Sequence, residues 1–346
     1  MARVWSGAEE AGGGERQILR FLPQELRGTL EAALLRVPPP WEEVRLRAGR
    51  PLALVVGGET LFLEGGGRPV PAARGRPVRG EEVRRSLELI TGHSLYAWQE
   101  ELRQGFVTLP GGHRAGLAGR LDSEGGHIRT VREVSSISLR VAHEAPGVAR
   151  PLLPWLLEAG RPLSALLLGP PGSGKTTLLR DLSRAAGDGE TPFPGGRPFR
   201  TVLVDERFEI AALSGSQPTL AVGAATDVIE GGPKAEAFAI ALRALNPELL
   251  VCDELGRPED ARALAEAARS GVAVWSSAHA ASWEEARQRR LLAPLLEGRF
   301  FQRVIELERR GGRFGLRAVR EAGGRRLSDR WTELAVSSAE GRRLLP

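Results

Sequence analysis

A chain of 346 residues is long enough for two domains, and 42% hydrophobic with 26% charged residues is typical of a soluble globular protein. The single cysteine, Cys252, excludes an internal disulfide framework and a CxxC metal site, and the five scattered histidines lack zinc-ligand spacing. The net charge of only +5 is weak support for a polyanionic partner. No apolar stretch approaches the roughly 20 residues that span a bilayer, and the N-terminus lacks the apolar segment of a signal peptide, which predicts an intracellular protein.

The first part of the chain predicts a small α+β domain. Residues 1–39 are predicted to be a flexible or helical N-terminal extension. Residues 40–145 alternate apolar and polar side chains between Gly-containing turns, and residues 81–92 have helical spacing with a glycine at the end. Residues 146–160 contain three prolines and predict a linker with a short helix.

The second part of the chain predicts an α/β domain. Over residues 161–310, the apolar runs SALLLG, TVLVDER, ELLVCDE and VAVWSSAH alternate with helical segments, a pattern that favours a parallel sheet with right-handed crossovers. Residues 311–346 are predicted to contain the second strand of a hairpin that turns at two glycines, followed by an Arg-rich tail. The overall prediction is a RecA-like P-loop NTPase domain preceded by a smaller α+β domain.

A glycine-rich loop carries the most specific motif of the chain. The sequence GPPGSGKTT fits GxxxxGK[ST], follows a predicted strand and opens a predicted helix, and this context distinguishes a phosphate-binding loop from a Gly-rich turn without a ligand. Only two of the 48 basic residues are lysine, and one lies in this loop, where a compact ammonium suits phosphate better than a planar guanidinium. The motif predicts that ATP binds to Gly169, Pro170, Pro171, Gly172, Ser173, Gly174, Lys175, Thr176 and Thr177, with the Thr176 hydroxyl on Mg²⁺.

Carboxylates end two of the predicted strands. In LLVCDEL, Asp253 is predicted to face Mg²⁺ and Glu254 to orient the attacking water, against the alternative of an ordinary charged strand end. In TVLVDER, Glu206 is a second catalytic candidate, and a surface salt bridge explains it equally well. The carboxyl ends of parallel strands are where open α/β folds bind ligands, so we expect these side chains at one edge.

Two further residues near this edge are open to alternative interpretations. His279 ends the strand VAVWSSAH and is a candidate to contact the nucleotide and sense its γ-phosphate, although a lone histidine is often structural. Lys234, the second lysine, lies in the stretch ATDVIEGGPKAE, which is predicted to be a Gly/Pro loop that leads into a helix. It is predicted to make a contact near phosphate or across a subunit boundary, and a surface lysine at a helix N-terminus is the equal alternative.

Several stretches resemble the stage III sporulation protein AA family over about residues 40–310. They are QEELRQGFVTLPGGHRAGLAGR from Gln99, DERFEIAA, TDVIEGGPKAEAFAIALRALNPELLVCDELGRPEDARAL and SSAHA. That family is similar to the ATPases of type II and type IV secretion and of type IV pili. Two departures from those motors are SSAHA in place of STLHT and Asp205-Glu206 in place of Glu-Asp, so the resemblance supports Glu254 more strongly than Glu206.

The resemblance implies a homo-oligomeric ring, a hexamer, with ATP held between the two domains. It also implies that arginines of the small domain approach the phosphates, here Arg114 in GGHRAG and Arg140 in SISLR, with Arg120 a weaker candidate. In an Arg-rich chain, the alternative is that any one of them is a solvated cation on a strand. The family implies a mother-cell ATPase at the cytoplasmic face of a membrane, held there by protein partners, that energises a sporulation channel complex.

Two other classes of function compete with this interpretation. A P-loop ATPase that associates with nucleic acid would use the Arg-rich C-terminus, but aromatic residues for base stacking are only 5% of the chain, which disfavours a nucleic-acid partner. A small-molecule kinase would need an acceptor pocket and an Arg-rich lid, and the sequence offers no sign of either.

Overall fold

The computed structural model describes residues 13–94, 98–124, 127–190, 196–214, 216–310, 313–328 and 331–334. The chain divides into two compact units. The first is Met1–His143 with Ala212–Thr219, and the second is Glu144–Ala211 with Leu220–Pro346. The short segment Ala212–Thr219 interrupts the second unit in sequence but clusters with the first, which the sequence did not predict.

The first unit is an antiparallel sheet with four helices among its described residues. The strands lie in the order β4-β3-β2-β1-β7-β6-β5. The helices are α1 Gly14–Leu19, α2 Gln24–Leu34, α3 Gly80–Ile90 and α4 Gln99–Gln104, and the strands are β1 Glu43–Arg47, β2 Ala53–Val56, β3 Glu59–Leu63, β4 Pro69–Val70, β5 Phe106–Leu109, β6 His113–Glu124 and β7 His127–Arg140.

The core of the first unit forms where the apolar faces of these helices meet the sheet. Ile18 and Leu26 from the first two helices are fully buried with Trp41 and with Leu46 of β1. In α3, Val83 and Ile90 are buried seven residues apart, which is the spacing of one helix face. Residues 14–34 therefore contribute to the packing of the folded unit.

The second unit is built on a larger, mainly parallel sheet. Its helices are α5 Leu153–Leu156, α6 Lys175–Asp188, α7 Lys234–Ala244, α8 Pro258–Arg269, α9 Trp283–Ala286 and α10 Ala293–Glu297. The strands that follow β7 in the chain are β8 Leu157–Glu158, β9 Arg161–Pro162, β10 Ala165–Gly169, β11 Thr201–Asp205, β12 Leu213–Ser214 and β13 Gln217–Pro218 (a pair within the first unit), β14 Thr226–Glu230, β15 Leu249–Glu254, β16 Ala273–His279, β17 Arg303–Arg310, β18 Arg313–Glu321, β19 Arg326–Ser328 and β20 Thr332–Glu333.

The order of strands in this sheet is β14-β11-β15-β16-β10-β17-β18-β19, and β20 also pairs with β18. The strands from β14 to β17 are parallel to their neighbours, whereas β18, β19 and β20 pair in antiparallel fashion. Every residue of β10 and β11 is buried, as expected for parallel strands covered on both faces. The predicted parallel sheet is confirmed.

Two strands of this sheet differ from the sequence prediction. The segment Thr226–Glu230 was predicted as part of a loop, which is wrong, because it pairs along its whole length with Thr201–Asp205 as edge strand β14. Its half-exposed, mixed polar and apolar residues hide the strand pattern. The first strand of the predicted C-terminal hairpin, β17, also pairs in parallel with β10 and so extends the central sheet. In the described part of the chain, none of the helices combines the length and apolar character needed to cross a bilayer.

Candidate active site

The glycine-rich loop joins the end of β10 to the start of α6. Gly172 and Gly174 have φ values of +72° and +83°, a left-handed conformation that glycine adopts at little cost. A Cβ at Gly169 would meet the Ser173 hydroxyl, and one at Gly172 would meet nothing within 4 Å. Among the described residues, Ser173 Oγ is buried without a hydrogen-bond partner. The loop thus has the close backbone approach and the free polar atom of a phosphate cradle.

Lys175 begins α6 and turns its ammonium back into the loop. Its Nζ donates to the carbonyl oxygens of Gly169 at 2.8 Å and Pro170 at 2.9 Å, and lies 3.1 Å from Nδ1 of His279. Burial lowers the pKa of Lys175, and the negative charge of Glu254 acts in the opposite direction. The contacts with Gly169, Pro170 and His279 hold the ammonium at the carboxyl edge of the sheet.

The remaining loop residues surround this lysine. Pro170 and Pro171 are exposed, and Thr176 and Thr177 are half-buried in the first turn of α6. The contiguous motif thus occupies one strand-to-helix turn, as the sequence predicted.

A local irregularity in β15 includes the predicted metal ligand Asp253 and ends at the predicted catalytic residue Glu254. The register with β16 pairs Val251 with Trp275 but Glu254 with Ser277, so three residues of one strand advance against two of the other. Such a bulge bends a strand and redirects its side chains. The Ser276 hydroxyl donates to the carbonyl oxygen of Asp253 at 2.8 Å and stabilises the irregular segment.

Asp253 is a buried carboxylate beside a buried lysine. Lys234 Nζ lies 3.0 Å from Oδ1, yet neither carboxylate oxygen accepts a hydrogen bond of good geometry from the described residues. Burial raises the pKa of Asp253 to about 6, although Lys234 lowers it, and the negative charge of Asp205 raises it further. Both oxygens are thus still able to accept from a ligand.

Glu254 is held through one of its oxygens. Oε2 lies 3.0 Å from Nη1 of Arg207 and 3.2 Å from Nε2 of His279. The same histidine contacts Lys175 with its other nitrogen, so the structure brings Lys175, His279 and Glu254 together at the edge of the sheet. This arrangement places the predicted phosphate contact beside the predicted water-activating carboxylate.

Lys234 is buried at the first position of α7. It is 2% exposed, so the alternative of a surface lysine is wrong. Its ammonium donates to the carbonyl oxygen of Glu254 and lies 3.7 Å from Oε2 of Glu206, in addition to its contact with Asp253. Burial acts to lower the pKa of this lysine, but the thiol of Cys252 when ionised and the carboxylate of Asp253 raise it above its usual value.

Glu206 lies at the same edge and pairs with cations. Nη2 of Arg257 lies 3.3 Å from its Oε1, and Lys234 lies near Oε2. These ion pairs agree with the alternative that Glu206 forms salt bridges. The catalytic role of Glu206 stays a prediction.

The neighbouring carboxylate, Asp205, for which no role was predicted, supports the backbone. It is fully buried and accepts hydrogen bonds from the amides of Glu209, Ile210 and Ala211, at 2.8–3.0 Å. Arg180 of α6 donates to the carbonyl oxygen of Ile210 and so ties the same turn to the helix after the loop. An aspartate directly before an irregular segment is the sequence signal that could have indicated this turn.

The predicted arginines lie in the first unit, on adjacent strands. Arg114 of β6 and Arg140 of β7 are register partners, so the structure brings these two together. The Arg114 guanidinium lies 3.5 Å from the centroid of the Phe106 ring, and Arg140 Nε lies 3.7 Å from Oε1 of Glu43. Arg120 lies further along β6, 3.5 Å from the exposed Glu133. Their approach to phosphate stays a prediction.

The oxygen donors at the edge fit a hard cation such as Mg²⁺. In the described residues, no group of three His, Cys, Asp or Glu side chains is arranged to hold a metal ion unaided. The available oxygens of Asp253 and the hydroxyl of Thr176 are of the type that Mg²⁺ combines with phosphate oxygens and water. The residues present therefore fit a metal that shares its ligands with a bound nucleotide.

Comparisons with known proteins agree with this architecture. The family model described as "Sporulation stage III, protein AA" matches residues 13–327. The chain is 38% identical over 300 residues to Stage III sporulation protein AA of Bacillus subtilis (strain 168), which covers 86% of this chain and 92% of that protein.

Solved structures with a similar fold include an ATPase and a pilus motor. The ATPase DotB of Legionella pneumophila is 18% identical with a TM-score of 0.54, over 84% of this chain and 77% of that chain. The pilus retraction motor PilT with bound ADP is 17% identical with a TM-score of 0.53, over 83% of this chain and 81% of that chain. At these identities the likeness concerns the fold alone, and it confirms the predicted RecA-like class.

Proposed function

The chain belongs to the stage III sporulation protein AA family, and from this premise we propose that it is an ATPase of the secretion-motor type. The observation that carries the proposal is the convergence of Lys175, His279 and Glu254 at the carboxyl edge of the parallel sheet. The reaction is hydrolysis of ATP to ADP and phosphate.

The glycine-rich loop binds the phosphates of ATP in this proposal. Backbone amides of residues 172–176 and the N-terminus of α6 face the anionic oxygens, and the Ser173 hydroxyl supplies a further polar contact. The Lys175 ammonium exchanges its contacts with loop carbonyl oxygens for the β- and γ-phosphates. Exclusion of water around the buried lysine strengthens this attraction.

The metal ligands from the protein are Thr176 and Asp253. A Mg²⁺ ion held by these residues would supply positive charge to the phosphate oxygens. Asp253 is suited to this role because its carboxylate is buried beside a single lysine and has oxygens without hydrogen bonds from the described residues.

Glu254 acts as the base that orients and deprotonates water. The water oxygen forms a bond to the γ-phosphorus while the bond from that phosphorus to the bridging oxygen of ADP breaks, and the proton passes to Glu254 Oε1. Arg207 and His279 contact the other oxygen, Oε2, and hold the carboxylate in orientation. A positioned base of this kind contributes about 10²–10⁴ to the rate.

The working form in this proposal is a homo-oligomeric ring, taken as a hexamer, that stands at the cytoplasmic face of a membrane on the mother-cell side. Arg114 and Arg140 of the small domain supply cations to the phosphates. Hydrolysis energises assembly of, or transport through, a membrane channel complex of endospore formation. The family description and the fold shared with a pilus retraction motor support this part of the proposal.

ATP hydrolysis measured over a protein concentration series, with the mass determined at each point, tests the proposal. Lys175→Ala and Glu254→Gln should abolish hydrolysis, the first by loss of nucleotide binding and the second with binding retained. Glu259→Gln, at an exposed position in the first turn of α8, is the matched control and should keep full activity.

The concentration dependence separates the ring from a monomeric enzyme. Specific activity that rises as the oligomer forms supports a shared active site. Hydrolysis that is independent of concentration, without an oligomer, would overturn the ring motor, and steeply salt-dependent affinity for nucleic acid would favour the alternative ATPase class.

A further inference from the structure

We propose that Lys234 is a positioning residue for hydrolysis, which acts through Asp253 and the backbone of Glu254 and does not bind the phosphates. The inference rests on the proposed function and deepens it. It replaces the predicted nucleotide contact of Lys234 with a role inside the protein.

The chain contains lysine at two positions only, Lys175 and Lys234. Only two of its 48 basic residues are lysine, and both are buried at the carboxyl edge of the same sheet, with Lys175 7% and Lys234 2% exposed. An ammonium presents three hydrogens from one compact atom, whereas a guanidinium spreads its donors over a planar fork. Both positions therefore demand a small cation among converging acceptors.

The acceptors around the two lysines differ. Lys175 contacts two carbonyl oxygens of the phosphate loop and His279. Lys234 contacts the carboxylate of Asp253, the carbonyl oxygen of Glu254 and, at 3.7 Å, the carboxylate of Glu206, all at the ends of β11 and β15. The Lys234 ammonium thus lies among the acidic strand ends, away from the phosphate loop carbonyls that Lys175 contacts.

Electrostatics explain why Asp253 needs this neighbour. A buried carboxylate without a counter-charge is costly, and removal of one partner from a buried ion pair is strongly destabilising. Lys234 supplies the charge at 3.0 Å and also fixes the backbone of the next residue, directly after the irregular register that begins at Val251. One ammonium therefore sets the side chain of Asp253 and the main chain that carries the Glu254 carboxylate.

The place of Lys234 at the start of α7 supports a specific contact. A cation in the first turn of a helix is opposed by the helix dipole, so propensity alone disfavours lysine there. Gly231 and Gly232, both with positive φ, turn the chain from β14 into the helix and bring the lysine to the acidic edge. The local cost is offset by the acidic groups that surround the ammonium.

The experiment separates magnesium-free nucleotide binding from turnover. A methylanthraniloyl derivative of ATP is titrated in excess EDTA, and hydrolysis is measured with Mg²⁺. For Lys234→Met we expect affinity without magnesium within about twofold of wild type, and kcat lower by about 10–100-fold, the usual effect of losing a partner of a metal ligand.

Two matched variants calibrate the measurement. Lys175→Met should lose the magnesium-free affinity, because it removes the phosphate contact itself. Arg243→Met removes an exposed cation from the same helix α7 and should change neither quantity. A loss of magnesium-free affinity in Lys234→Met as large as that in Lys175→Met would make Lys234 a phosphate ligand and overturn the inference, as would an unchanged kcat.

A double variant covers the outcome in which Lys234→Met folds poorly. Asp253→Asn removes the buried charge, so Lys234→Met/Asp253→Asn should melt higher than Lys234→Met and bind the nucleotide without magnesium as tightly as wild type. If Asp253→Asn shifts the melting temperature equally in both backgrounds, the two residues are not coupled and the inference fails. A wild-type protein that neither binds nor hydrolyses ATP would instead overturn the proposed function.

Discussion

The Lys175 ammonium lies 3.1 Å from Nδ1 of His279. Because an ammonium can only donate, Nδ1 is the acceptor, and the ring hydrogen is then on Nε2, which lies 3.2 Å from Oε2 of Glu254. A single imidazole thus connects the lysine of the phosphate loop with the acidic end of β15. Because His279 contacts both Lys175 and Glu254, it is part of the candidate active site and is not an isolated histidine at a strand end.

Replacing His279 by asparagine should lower kcat for ATP by about 10²-fold, because Glu254 then loses one of the groups that orient it. The affinity for the nucleotide in EDTA should change little. His93→Asn is the control, since His93 is exposed and its φ of +61° is one that asparagine tolerates. Equal kcat values for the two variants would show that the contact with His279 does not affect turnover.

Alanine at Gly174 should impair the phosphate loop more than alanine at Gly172. Both positions are left-handed, which costs a residue with a Cβ about 1–2 kcal/mol. Only the Cβ at Gly174 would also meet a neighbour, the Phe314 ring at 2.9 Å. Nucleotide titration and thermal melting of both variants measure the difference, and indistinguishable variants would contradict the steric argument.

Asp205→Asn should destabilise the second unit although the two side chains have the same shape. The carboxylate accepts three backbone hydrogen bonds, from Glu209, Ile210 and Ala211, and an amide cannot accept with both of its terminal atoms. We expect a loss of about 1.5–3 kcal/mol in the free energy of unfolding, the range for a hydrogen bond to a charged group. Urea unfolding provides the measurement. Asp227→Asn, at an exposed position of β14, should have no comparable effect.

His113 should make the stability of the first unit dependent on pH. The ring is buried, its Nδ1 accepts from the amide of Ala142, and its Nε2 lies 2.9 Å from Oε1 of Gln17. Burial lowers the pKa of His113 to about 3, and the nearby His143 and Arg20 add to the effect.

The sign follows from the unfolded chain, in which histidine has a pKa near 6.5. Below that pH the unfolded state binds a proton that the folded state excludes, so stability is fully present above about pH 6.5 and is lost progressively toward pH 3. Between pH 7 and pH 5 the loss should be about 2 kcal/mol. Urea unfolding of wild type and His113→Asn at both pH values measures it, and an equal pH dependence of the two proteins would contradict the assignment.

The sequence alone identified the parts of the candidate site whose residues follow one another along the chain. The loop from Gly169 to Thr177 is defined by local backbone conformation between a strand and a helix, and the pattern of those residues carries all of that information. The acidic strand end at Asp253 and Glu254 was visible for the same reason, as were the four predicted strands that became β10, β11, β15 and β16.

The tertiary structure decided which of these pieces are neighbours. Hydrophobic periodicity reports whether a strand is buried and contains no record of the order of strands, so the pairing of β10 with β16, which brings His279 beside Lys175, could not be derived from it. The edge strand β14 escaped detection because half-exposed residues lack a strong apolar pattern.

Lys234 is the clearest case of a residue whose spatial neighbours the sequence does not reveal. Its place at a helix start after Gly-Gly-Pro left a surface position and a specific contact as equal alternatives. Only the packing of α7 and β15 around the acidic edge buries it against a carboxylate that lies 19 residues further along the chain. Local sequence determined the loop that can hold phosphate. The long-range order of strands and helices, stabilised by burial of their apolar faces, decided which side chains surround it.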